Sequence, residues 1–134
     1  MVTGSGGDAA RPRTGALDLA GSHFNARRYW HAYNAFRTLV RTAPEEEREF
    51  FEGLTFVSAG LLHLQRRETR MARAELEAGL ARLGPYAPAH AGLVISEVLD
   101  ISERLLGQMY AGRIPSLIPP VIKYVEAPHD GPRP

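Results

Sequence analysis

Apolar residues recur along this chain at the period of an α-helix, in runs separated by proline, glycine or strongly polar breaks. Tyr29, Tyr33, Phe36 and Val40 follow one another at helical spacing, which places them on one face of a first helix. Just upstream, Leu17, Leu19 and Phe24 predict a short leading helix, with Gly21 and Ser22 as a joint and Ser22 or Asn25 as a cap. Pro44 ends the first helix. Glu45, Glu46, Glu47 and Glu49 then fall in a first turn, where carboxylates favour the positive end of the helix dipole. Helix two therefore starts near Glu45, with Phe50, Leu54, Val57, Leu61 and Leu64 as its stripe. Phe51, Ala59, Gly60 and Leu62 widen that stripe almost all round, so this is the central, most buried helix, closing near Arg67. Ala72, Leu76, Leu80 and Leu83 predict a third helix over about 69–83, stopped by "GPYAP". Val94, Val98, Ile101 and Leu105 predict a fourth from roughly Gly92 to Tyr110, closed by Gly112 as a left-handed C-terminal residue.

The flanks read differently. Residues 1–15 are rich in glycine and other small residues and are expected to be a disordered leader, followed by a helical domain over 16–112. From 113 to 134 prolines are too frequent for helix, which predicts an extended C-terminal arm. Its apolar residues Leu117, Ile118, Val121, Ile122, Tyr124 and Val125 should lie across a groove of the same chain or of a second copy. A monomer or a homodimer through the arm is therefore expected. The predicted fold class is all-α, a compact antiparallel bundle of about four main helices in tetratricopeptide-like hairpins, without an internal repeat of about 34 residues.

Composition narrows the chemistry. At 134 residues one core is expected, and a net charge of +1 gives no global pull toward nucleic acid or membrane; an anionic partner would need a local patch. No cysteine is present, so disulfides, thiolate catalysis and sulfur-based zinc sites are excluded. No run of about 18 apolar residues could span a bilayer, and no signal-peptide pattern opens the chain, so the expected compartment is the cytoplasm.

The stretch "FNARRYWHAYNAFRTLVR" carries the most suggestive cluster. Tyr29, Trp30 and Tyr33 are aromatic, but helical spacing makes Tyr29, Tyr33 and Phe36 a core stripe before it makes them a pocket. Asn25, His31, Asn34 and His63 form a candidate polar site. Antiparallel packing sets residue 63 opposite about residue 25, so Asn25 and His63 should hydrogen-bond across the helix ends. Arg66, Arg67, Arg70 and Arg73 could hold an anion, although Glu68, Glu75 and Glu77 among them favour solvated surface. His23, His90 and His129 lie in or beside loops without ligand spacing and read as surface residues. No nucleotide-binding or hydrolase motif is present.

Read in order, "FNARRYWHAYNAFRTLVR", "FFEGLTFVSAGLLHLQRR", "ARAELEAGLARLGPYAPAHAGLVI" and "IPSLIPPVI" resemble the small prokaryotic domain-of-unknown-function family 309, over roughly residues 20–122. Phe24 and Asn25 stand at its FN, Tyr29 and Trp30 at its aromatic pair, Gly53 and Leu54 at its GL, and His63 at its later histidine. The resemblance implies an all-helical fold and a label of predicted metal-dependent hydrolase. Where the family helix reads E-A-H-E, however, this chain has His31, Ala32, Tyr33 and Asn34, and Phe56 replaces a glutamine. Both carboxylates are gone. His31 and His63 should also lie roughly 9 Å apart along the helix axis, too far to share an ion easily. The rings of Tyr33 and Phe56 should make the space between the helices drier. The expectation is a non-catalytic binding or interaction module for an unidentified protein or small ligand, without cofactor, metal, nucleic acid or membrane. The alternative is a hydrolase with a diverged ligand set for a divalent metal ion.

Overall fold

The computed structural model describes residues 15–116 and 118–125; the expectations for the leader, for Leu117 and for His129 fall on residues outside that range. The expected all-α bundle is present. Its helices are α1 (Gly15–Asn25), α2 (Tyr29–Thr42), α3 (Arg48–Gln65), α4 (Thr69–Leu83) and α5 (Ser96–Tyr110). Each packs chiefly on the next in sequence, so the chain runs up and down as stacked hairpins. Short 3-10 turns at Glu45–Glu47 and Gly84–Tyr86 link α2 to α3 and close α4. No helix among the described residues is long and apolar enough to cross a membrane.

The α1–α2 and α3–α4 hairpins use the same turn. The amide of Arg28 donates to the carbonyl of His23 and that of Arg27 to Phe24, while Glu68 donates to His63 and Arg67 to Leu64. These paired bonds satisfy the last carbonyls of each helix, and they require a left-handed residue just past its end. Arg27 (φ 63°) and Arg67 (φ 61°) fill that role where glycine is usual. The joint is therefore at 26–28 and not at Gly21–Ser22, through which α1 runs unbroken. Gly21 serves instead as the seat of the Tyr124 ring, since a Cβ there would strike it.

α3 is the central helix, with Phe50, Leu54, Val57 and Leu61 all fully buried. It lies close on α4 because Gly79 presents no side chain to Val57; a Cβ at 79 would come 2.6 Å from Cγ2 of that valine.

The expected start of the last helix at Gly92 is corrected. Ala91 (φ 52°) and Gly92 (φ 82°) form the two-residue loop of a hairpin between β1 (Ala89–His90) and β2 (Leu93–Val94), because two successive positive φ angles match the twist of paired strands. α5 begins only at Ser96. The arm then returns as β3 (Lys123–Tyr124), pairing Leu93 with Tyr124 and Val94 with Lys123 in the sheet order β1-β2-β3. Through residues 118–125 the arm thus lies on its own chain, with Ile122 fully buried and Ile118 left exposed.

Candidate functional site

The four polar candidates do not converge. Asn25, the last residue of α1, spends its whole amide on the arm: Nδ2 donates to the Ile122 carbonyl (2.9 Å) and Oδ1 accepts from the Ile122 amide (2.8 Å). It is therefore not bonded to His63, because the returning strand offers it a matched donor and acceptor. His63 lies in the last turn of α3 with Nδ1 2.6 Å from Glu75 Oε1 and Nε2 3.8 Å from Glu68 Oε1. It ties α3 to the first half of α4. Asn34 turns back on its own helix, donating from Nδ2 to the Trp30 carbonyl (2.9 Å). His31 is exposed, its ring 5.1 Å from that of His23. His23 Nδ1 accepts from Arg28 Nε (3.2 Å), and burial, then the Arg28 charge and His31, hold its pKa below the ordinary value.

The aromatic cluster divides in two. Tyr29 and Phe36 are fully buried, and Tyr29 meets Phe24 edge-on at 5.5 Å. The Tyr29 hydroxyl has no hydrogen-bond partner among the described residues, and burial pushes its pKa up to about 12 against the opposing charge of Arg27. Trp30 points the other way. It is 53 % exposed and stacks on Tyr33 at 6.2 Å with 25° between the planes, and the Arg37 guanidinium lies 5.8 Å from the Tyr33 ring. The expected drying by Tyr33 and Phe56 is not what these rings do. Both are only half-buried, and each carries an arginine, with Arg82 4.7 Å over Phe56 and its Nε 3.4 Å from Glu52.

One buried polar pair is not legible in the sequence, which places His90 at the surface and Glu47 in a helix first turn. The Glu47 side chain is 4 % exposed and its Oε1 lies 2.6 Å from His90 Nε2, with the rings of Phe50 and Tyr86 each 4.7 Å from the imidazole. Burial, then the charges of Glu49 and Glu47, raise the pKa of Tyr86. The β1–β2 hairpin carries His90 to the start of α3, a contact that spacing alone does not reveal.

The hairpin order also gathers charge. The α1–α2 turn, the α3–α4 turn and the end of α5 lie at one pole, and Gln65 Nε2 reaches the Arg27 carbonyl there (3.4 Å). Arg27, Arg28, Arg66, Arg67, Arg70 and Arg113 are all exposed at this pole. Among the described residues no carboxylate pairs with Arg27, Arg66, Arg67, Arg70 or Arg113. A groove of about 330 Å³ runs between Gln65, Arg67 and Thr69 on one side and Ile114 and Pro115 on the other. A second, of about 310 Å³, lies beside Arg70, Arg73 and Met109. Two nearby glutamates are occupied, Glu75 with His63 and Glu77 with the Tyr110 hydroxyl. Glu45, Glu46, Glu49 and Glu97 lie toward the opposite pole, where Arg48 pairs with Glu45 (3.0 Å) and Lys123 with Glu97 (3.7 Å); at the arginine pole the exposed carboxylate is Glu68, so the arginines there outnumber the carboxylates beside them.

The family model described as domain of unknown function (DUF309) matches residues 17–74, from α1 into α4. That match agrees with the resemblance, over a shorter span than its motifs suggested. No curated protein and no solved structure matches the chain. The donors present do not fit the metal ion that the resemblance implied. The two ring nitrogens of His63 face different carboxylates, so Glu68 and Glu75 cannot close on one ion beside either nitrogen. Among the described residues no three His, Asp or Glu side chains are grouped to hold an ion.

Proposed function

We propose that this protein is a non-catalytic binding module whose contact face is the outer side of α2. The observation that carries this reading is the ladder of Trp30, Tyr33 and Arg37, which leaves the chain's single tryptophan half in solvent. An indole exposed to that degree forgoes burial energy the core could have used, and exposed aromatics with arginine are the side chains that contribute most at recognition surfaces. The motif-region polar groups support it differently: Asn25 and His63 act as ties between segments. A cytoplasmic setting is part of the proposal.

The hydrolase alternative needs a ligand set that the polar groups here do not form. The test of the binding-module reading is whether the ladder is dispensable to the fold. Trp30→Ala should leave the melting temperature within about 2 °C of the parent, as surface substitutions do, while Phe36→Ala should lower it steeply. A Trp30→Ala loss as large as that of Phe36→Ala would make the ladder part of the core and end this reading.

A further inference from the structure

Residues 19–44, between Asp18 and Glu45, contain no carboxylate at all. That stretch holds α2 and the α1–α2 turn, and Trp30, in the first turn of α2, follows Arg27 and Arg28 by two to three residues, at the same end of the bundle as the arginine pole. The positive groups are spread over three chain segments instead of gathered in one pocket, which suits an extended polyanion better than a single phosphate. Beside them stands a flat indole held over α2 by Tyr33, with Arg37 behind it. A base has a π-face that such a ring can stack on, whereas an acidic peptide offers the arginines carboxylates but has no general need of the indole. A duplex hides its base faces within the stack.

We propose that the arginine pole and the Trp30–Tyr33 ladder together bind single-stranded nucleic acid, phosphates lying on Arg27, Arg28, Arg66 and Arg67 and a base on Trp30. This rests on the reading of α2 as a contact face and names its ligand class. The net charge of +1 conceals the site because carboxylates elsewhere along the chain cancel the arginines in the sum but not in space.

Because Trp30 is the only tryptophan, its fluorescence reports on this position alone. The full chain is titrated with a fluorescein-labelled oligouridine of about 20 nucleotides at about 50 and 200 mM salt. Anisotropy should rise, Trp30 emission should be quenched on adding the unlabelled oligomer, and affinity should fall steeply with salt. Trp30→Ala should weaken binding about tenfold, and Arg27→Glu with Arg66→Glu at least tenfold with a shallower salt slope. Arg48→Glu, toward the opposite pole, should bind within about twofold of the parent, and Trp30→Phe, which keeps a stacking ring, within about threefold. Circular dichroism checks that each variant folds; Trp30→Phe keeps the test decisive should Trp30→Ala not. No binding at 50 mM salt, or variants that bind like the parent, would overturn the proposal. Equal affinity for a duplex of the same sequence, or equal competition by polyglutamate, would also overturn it, the latter in favour of an acidic protein partner. None of these outcomes bears on the melting test above, so the contact-face reading and its ligand class fail separately.

Discussion

Asn25 and Ile122, 97 residues apart, exchange two hydrogen bonds through the whole of one side-chain amide and both backbone groups of the isoleucine. The asparagine thereby acts as one more ladder partner for a strand that has β2 on its other side, where the Val125 amide bonds the Gly92 carbonyl (2.9 Å). Asn25→Ala leaves a donor and an acceptor of Ile122 unpaired beside the core and should cost about 1–3 kcal/mol. Ile122→Ala, which empties a fully buried site, should cost about 2–5 kcal/mol. Urea melts check both; parent-like curves would mean the arm does not hold to the bundle.

Leu54 and Leu61 are completely buried on α3, the helix that packs against both α2 and α4. Truncating either to alanine should cost about 2–5 kcal/mol by thermal or urea denaturation, from lost burial and the cavity left behind. A shift of under about a degree in both would show that α3 is not central.

The Glu47 carboxylate is buried with His90 as its ring partner. Removing the imidazole by His90→Ala takes a hydrogen-bond partner from a buried carboxyl and its packing from Phe50 and Tyr86, and should destabilise by about 1–3 kcal/mol, whereas an exposed histidine such as His31 replaced by alanine should stay within about 0.5 kcal/mol. Equal, small effects would return His90 to the surface.

Burial raises the Tyr29 hydroxyl from an ordinary value of 10 to about 12. The folded state therefore holds this proton where the unfolded chain releases it. Its share of stability is fully present below about pH 10 and is lost as pH rises toward about 12. Tyr29→Phe should flatten part of that alkaline decline, and at neutral pH should be neutral or stabilising by up to about 1 kcal/mol, since it deletes a buried hydroxyl without a described partner. Melting temperatures from pH 7 to 11 on both proteins measure it; an unchanged slope would place the hydroxyl in contact with water.

The helices were legible because helix burial writes itself at a fixed period: the 69–83 expectation coincides with α4, and the apolar run of α3 marked the centre. What failed was non-local or depended on dihedral angles. Arginine at 27 and 67 disguised two turns that glycine would have announced. "HAGL" conceals a hairpin, because Ala91 gives no hint of its positive φ. Asn25 stands out in the sequence as a polar residue at a helix end, but its partner is Ile122 at the other end of the chain and not His63. Glu47 and His90 meet only because β1 folds back on α3. Trp30 was visible as an aromatic off the stripe, yet the arginine pole beside it emerges only once the turns are brought to one end.

Asn25 and His63 tie separate segments of this fold together, and under the proposed function neither serves a hydrolytic metal site. Calorimetric titration of the purified protein with zinc and with manganese tests it most directly. The account predicts no tight stoichiometric binding, and a His63→Ala variant that differs from the parent only in stability, through the lost tie to Glu75. Tight one-to-one binding by the parent, abolished in His63→Ala, would contradict the account and restore the metal-dependent hydrolase.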